Sequence, residues 1–246
     1  MIVVGHNSGF QGNSRVSEVS TVLRSLTIEV VSDVVCPWCF IGKRRLEKAL
    51  VLLGRQDVTI RWKPFQLNPG APKEGMDRQA YRIRKFGSLA YSQQLEARVA
   101  TAGAEDGIEF HFDQIKRTPN TFEAHRLIWF AGREQGQDVR DVRNGRDVQN
   151  AVVENLFRAY FIDAEDVGDI GVLKRIGAQN GLDAGRLEEL FAAGLGTEEL
   201  MAEEGEARAR GVTGVPTFFV ASKPIASGAQ KPELLAAVFG PALGAA

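Results

Sequence analysis

The chain has 246 residues, 44% of them hydrophobic and 25% charged, enough apolar material for one large or two small domains. Its 30 basic and 31 acidic residues leave a net charge of −1, which excludes the basic signature of a nucleic-acid or anionic-membrane binder. With 2 cysteines it is not a disulfide scaffold, and no apolar run approaches the ~20 residues of a membrane span.

Residues 1–25 open on Met1-Ile2-Val3-Val4 and then turn polar. They lack a basic segment followed by an apolar one, so they do not read as a secretory signal. A disordered tail and a cytoplasmic protein are expected. Leu26–Ser32 reads as a buried strand, Cys36–Leu53 as a helix ended by Gly54, and Val58–Phe65 as a second strand with Pro64 near its end. Strand, helix and strand at this spacing make a βαβ unit with parallel strands.

Residues 73–210 show almost no strand character and read as a helical insertion. Helical periodicity runs over Met76–Ala102 with a break at Gly87, then over Thr121–Gly136, with Asn120 or Thr121 as the N-cap. Asp138–Asp147 is a charged quasi-repeat that reads as a solvated loop. Val148–Ile162 carries an apolar stripe of Val152, Val153, Leu156, Phe157, Tyr160 and Phe161. Asp169, Asp183 and Thr197 are expected to cap three further helices, ended near Gly181, Gly194 and Gly211. Strands then return as a hairpin, Thr217–Val220 and Pro224–Ser227 around Ala221-Ser222-Lys223, and Lys231–Phe239 closes the chain as a helix with Pro232 in its first turn. The expected class is α/β, with βαβ and ββα halves over 26–72 and 211–242 interrupted by the helices.

The chemistry centres on Cys36-Pro37-Trp38-Cys39, which holds both cysteines of the chain. A CxxC at a strand-to-helix junction suits reversible dithiol–disulfide chemistry. The first helical turn has N–H groups without intrahelical partners and the positive end of the helix dipole, so a thiol there is favoured as thiolate. Cys36 is expected to be the exposed nucleophile and Cys39, one turn further in, the partner that closes onto it. Pro37 suits a helix start, and Trp38 tunes or covers the pair, or simply packs. The competing readings are two inert buried thiols or a structural zinc site. Zinc needs four ligands, and beyond the cysteines only His6, His111 and His125 are at hand, so no metal is expected.

A second element is Gly211-Val212-Thr213-Gly214-Val215-Pro216-Thr217, directly before the third strand. A proline belongs at a strand start or an unusual turn. A cis bond before Pro216 would expose the Val215 backbone beside the thiols, where an extended substrate could add by β-pairing. Asn68, Asn120 and His125 are candidates for lining a cleft between the core and the helices. A helix cap for Asn120 and a hydrogen-bonded core histidine for His125 are the structural alternatives.

Six stretches in order resemble one family: Ser32-Asp33-Val34-Val35-Cys36-Pro37-Trp38-Cys39, Trp62-Lys63-Pro64-Phe65-Gln66-Leu67-Asn68-Pro69, Asn120-Thr121-Phe122-Glu123-Ala124-His125-Arg126-Leu127, Leu156-Phe157-Arg158-Ala159-Tyr160-Phe161, Gly214-Val215-Pro216-Thr217-Phe218 and Ser227-Gly228-Ala229-Gln230. Together they resemble the DsbA-like thiol–disulfide oxidoreductases of the FrnE type, over Leu26 to Phe239. The resemblance implies a thioredoxin-like fold with a helical insertion and a redox-active Cys36–Cys39 pair supported by Pro37, Trp38, Val215 and Pro216. It implies no bound cofactor, and as partners disulfide- or dithiol-containing proteins, with glutathione a candidate redox partner. Nucleic acid and membrane are not expected, and the oligomeric state stays open. Thioredoxins carry an acid six residues before the first cysteine, and Val30 stands there in this chain. Related glutathione-dependent enzymes, the kappa-class transferases and 2-hydroxychromene-2-carboxylate isomerases, share the fold but have serine at the Cys36 position. A redox-silent peptide-binding chaperone module is the non-enzymatic alternative.

Overall fold

The computed structural model describes residues 26–136 and 147–244. The tail expected over 1–25 and the charged loop expected over 138–147, save Asp147, lie outside the described residues.

The central sheet runs in the order β2, β1, β5, β6, with β1 spanning Leu26–Ser32, β2 Val58–Pro64, β5 Thr217–Val220 and β6 Lys223–Ser227. The β1–β2 pair is parallel, joined by helix α1 (Pro37–Leu52), and β5 and β6 add antiparallel. The pleat explains the sequence pattern. Ile28, Val30, Ile60, Trp62, Phe218 and Val220 join one core with Phe40, Ile41 and Leu46 of α1, whereas Val31 and Phe219 join a smaller one with Ala207 and Val212. The hairpin turn is two residues, Ala221 and Ser222, with φ of 47° and 63°. Lys223, expected in the loop, is the first residue of β6. A two-residue turn with both φ positive matches the twist of the strands it joins.

Seven helices lie between β2 and β5 among the described residues: α2 (Arg78–Phe86), α3 (Leu89–Ala104), α4 (Phe122–Gly136), α5 (Val148–Phe161), α6 (Ile170–Gln179), α7 (Ala184–Ala192) and α8 (Thr197–Ala209). Helix α9 (Pro232–Ala242) closes the chain and packs on α1. The inserted helices share the main core. Phe40 of α1 stacks on Phe157 of α5 at 5.1 Å between ring centres and meets Phe110 edge-on at 6.1 Å. On the open side of β2, Gln149 of α5 completes the strand's ladder. Its side-chain carbonyl accepts from the Trp62 N–H at 3.0 Å and its amide donates to the Trp62 carbonyl at 3.3 Å.

Two helix starts within the insertion differ from the expected ones. Met76 does not open a helix: Met76 and Asp77 form the short strand β3, paired antiparallel with β4 (Arg117–Thr118), and the Asp77 carboxylate accepts from the Ala80 N–H at 2.8 Å to start α2 at Arg78. Gly87 does end that helix, at φ 87°, and Ser88 caps the next. Asp169 and Asp183 cap α6 and α7 as expected, but Thr197 is the first helical residue of α8 and Gly196 is its N-cap. The reason is steric: a Cβ at Gly196 would lie 2.4 Å from the Trp129 ring, so only glycine admits that packing, and it sits at φ 80°. The Thr197 hydroxyl donates instead to the Gly194 carbonyl at 2.7 Å.

Candidate active site

Cys36 is the N-cap residue of α1, with Pro37 following at the first helical position. Its carbonyl accepts from the Cys39 N–H at 3.0 Å, closing the first turn and setting both sulfurs on one side of it. The Cys36 thiol donates to the Val215 carbonyl at 3.7 Å, and the Val215–Pro216 bond is cis. Cys36 is 6% exposed rather than open to solvent as expected. Cys39 is fully buried. Burial pushes the Cys39 thiol well above its ordinary value, and hydrogen bonding and charge from Cys36 add to the rise; Ser32 and the Asp33 backbone hydrogen-bond the sulfur and oppose it. Both cysteines are unbonded, and their side chains are in hydrogen-bond contact with one another.

Gly42 lets the two motifs meet. A Cβ there would lie 2.8 Å from Pro216 Cγ and 3.5 Å from the Phe218 ring. A mid-helix glycine costs ~1 kcal/mol against alanine, and here that cost brings the proline loop onto the helix that carries both thiols.

Behind the thiols sits a buried carboxylate, at a different place from the acid of thioredoxins. Val30 is core, and the acid is Asp33, fully buried. Its Oδ2 accepts from the Leu67 N–H at 2.8 Å, its Oδ1 lies 3.5 Å from the Val35 N and 3.3 Å from His125 Nε2, and its own carbonyl accepts from the Cys36 N–H at 3.0 Å. Thus Asp33 anchors the loop that presents Cys36.

A cavity of about 440 Å³ opens beside Cys36, Pro37 and Trp38. Trp38 is 40% exposed at its edge, so it is not core packing. The far walls come from α2, α3 and α5, including Tyr81, Phe86, Val99 and Phe161, and Arg78, Arg82, Lys85 and Arg98 bring positive charge. The Tyr160 phenol accepts from Arg78 at 3.0 Å and donates to the Arg117 carbonyl at 3.2 Å. Burial pushes that phenol up to about 12, so it stays a neutral donor.

Of the residues expected from the sequence, Cys36, Cys39, Pro37, Trp38, Val215 and Pro216 come together. Asn68 joins them on the cavity wall, its Oδ1 accepting from the Tyr81 hydroxyl at 2.8 Å. Asn120 does not. It lines a separate cavity, donates to the Ala71 carbonyl at 2.7 Å and accepts from the Phe122 N–H at 2.9 Å, which makes it a turn-former before α4. Nor does His125 line the cleft, being buried against Asp33. The sequence reading missed Gly42, the anchoring role of Asp33, and the cavity walls of α2 and α3. A glycine interrupting the apolar stripe of α1 was the one local signal for any of them. Among the described residues no cluster of three or more metal-ligating side chains occurs.

Residues 27–240 match the DSBA-like thioredoxin domain, and the chain belongs to that family. The crystal structure of a probable DsbA oxidoreductase from Streptomyces coelicolor is 29% identical, covers 90% of this chain and 91% of its own, and superposes with a TM-score of 0.77. An uncharacterized Bacillus subtilis protein, YwbO, is 26% identical over 209 residues, 83% of this chain and 91% of that protein. The cytosolic disulfide reductase DsbM of Pseudomonas aeruginosa shares the fold, with 17% identity, 88% of this chain and 98% of its own covered, and a TM-score of 0.57.

Two outcomes follow from this geometry. Gly42→Ala should lower stability by about 1–3 kcal/mol in urea denaturation, because its Cβ would press 2.8 Å from Pro216 Cγ of a rigid ring, and should slow disulfide exchange; unchanged values would show that the close approach is not needed. For Cys39 the folded state raises the pKa of an acid. Its stabilising contribution is therefore intact below the unfolded thiol value near ~8.5 and is lost as pH rises from there towards the raised folded value. The reduced protein should lose up to ~1.4 kcal/mol per pH unit across that window relative to Cys39→Ala. Parallel stability–pH curves for the two proteins would contradict it.

Proposed function

We propose that this DSBA-like thioredoxin-family member is a cytoplasmic thiol–disulfide oxidoreductase of the FrnE type, acting on protein or small-molecule substrates through Cys36 and Cys39. The observation that carries the reading is the placement of one sulfur at the start of α1 against the Val215 carbonyl, with the second buried in contact behind it.

The Cys36 thiolate attacks one sulfur of a substrate disulfide, and the other leaves as a thiolate. The mixed disulfide is resolved when Cys39 attacks the Cys36 sulfur and its proton passes to the departing substrate sulfur. That forms the Cys36–Cys39 disulfide, releases the second substrate half as a thiol, and moves two electrons from the protein to the substrate. Read backwards, the same steps donate a disulfide to a dithiol. Val215, in the loop that Pro216 packs onto α1, offers main chain to an extended peptide, holding its disulfide against Cys36. Burial of Cys39 keeps it a protonated thiol until the mixed disulfide forms, so the two sulfurs have separate roles. No cofactor enters these steps. Glutathione is the redox partner we propose; DsbM, which shares the fold, has been solved with GSH.

The paired thiols separate this reading from a glutathione transferase, whose chemistry needs no second sulfur. Insulin reduction with glutathione as the electron source should fall at least ~100-fold in Cys36→Ser, as loss of an essential nucleophile requires, and Cys39→Ser should accumulate mixed disulfides that mass spectrometry identifies. Full turnover in Cys36→Ser, with tight glutathione binding, would overturn the reading.

A further inference from the structure

The cavity beside Cys36 has the lining of a small-molecule site, an apolar body with a few polar groups. At about 440 Å³ it lies in the range that buries a small molecule. Its body is apolar, built by Phe86, Leu95, Val99, Phe112 and Phe161. Four cations line it against the single carboxylate of Glu96. That carboxylate is shared, lying 2.7 Å from Arg78 and 3.3 Å from Arg82, so it offsets one charge of the two. Lys85 donates to the Tyr81 hydroxyl at 2.7 Å and lies over the Tyr81 and Phe86 rings. Arg98 has no ion pair or hydrogen bond among the described residues. The space is thus aromatic-walled with uncompensated positive charge, and one wall carries the reactive sulfur.

From this juxtaposition we infer that the cavity is a substrate subsite for small aromatic disulfides bearing a carboxylate or comparable anion. The aromatic body lies among the phenylalanines, its anion is drawn by Lys85 and Arg98, and its disulfide meets Cys36. This rests on the thiol–disulfide reading above. In the reaction, Cys36 forms a mixed disulfide with one aromatic half and expels the other as a thiolate. Cys39 then displaces the first half, so the dithiol is oxidised by two electrons and two aromatic thiolates are released. Glutathione disulfide has the charge without the ring, and neutral aromatic disulfides have the ring without the charge; the cavity favours having both.

Single-turnover oxidation of the reduced full-length protein tests this with three probes: dithiobis(nitrobenzoate), which is aromatic and anionic, dithiodipyridine, which is aromatic and neutral, and glutathione disulfide, which is anionic and aliphatic. Each rate is divided by that of dithiothreitol with the same probe, to remove intrinsic reactivity. The normalised rate for dithiobis(nitrobenzoate) should exceed the other two by about tenfold, and the excess over dithiodipyridine should shrink with added salt. Arg98→Glu should lower the ratio of the anionic to the neutral aromatic probe about fivefold or more, and Phe86→Ala should lower the ratio of the aromatic anion to glutathione disulfide. A flat profile across the probes, or ratios unmoved by these substitutions, would overturn the subsite while leaving Cys36 an exchange nucleophile. Failure of all three probes to oxidise the wild-type pair would sink the exchange reading and the subsite together.

Discussion

One buried carboxylate fixes the geometry on which the chemistry depends. Burying a carboxylate costs several kcal/mol unless its oxygens are hydrogen-bonded, so Asp33 must find donors, and the donors it finds come from separate parts of the chain. Leu67 follows β2 and Val35 lies in the loop before α1, while His125 of α4 packs its Nε2 3.3 Å from the same carboxylate. The same residue's main chain holds the Cys36 N–H and hydrogen-bonds the Cys39 sulfur. The exit of the sheet, the start of the thiol-bearing helix and an inserted helix are therefore referred to a single point.

A second constraint comes from the opposite side. The Pro216 loop has to lie on α1 for the Val215 carbonyl to reach Cys36, and Gly42 supplies the room. Between the carboxylate behind and the proline loop in front, Cys36 has little freedom, and what remains of its surface faces the cavity. The inserted helices do more than cover the sheet. They share its core through the stacking of Phe40 on Phe157, and they raise the cationic, aromatic walls around the attacking sulfur.

Much of this was legible in local sequence because it is encoded locally. The CPWC turn, the proline before β5, the βαβ spacing and the aspartate caps of α6 and α7 depend on neighbours a few residues apart, and each appears where the sequence placed it. The remainder depends on contacts between distant segments. Gly196 outranks Thr197 as a cap because the ring of Trp129 leaves no room for a side chain. His125, a cleft candidate by its chemistry, is drawn inward by Asp33, which itself reads as one letter of a motif. Arg78, Arg82 and Lys85 have the spacing of an ordinary solvated helix face, and only the packing of α2 beside Cys36 gives them a common cavity.

The division of labour between the two sulfurs is the central claim, and competitive alkylation of the reduced protein at neutral pH, read by mass spectrometry on the peptides that carry each cysteine, tests it most directly. Cys36 should be modified at least ~10-fold faster than Cys39, since thiol reactivity follows access and thiolate character. Equal labelling of the two, or earlier labelling of Cys39, would contradict the account.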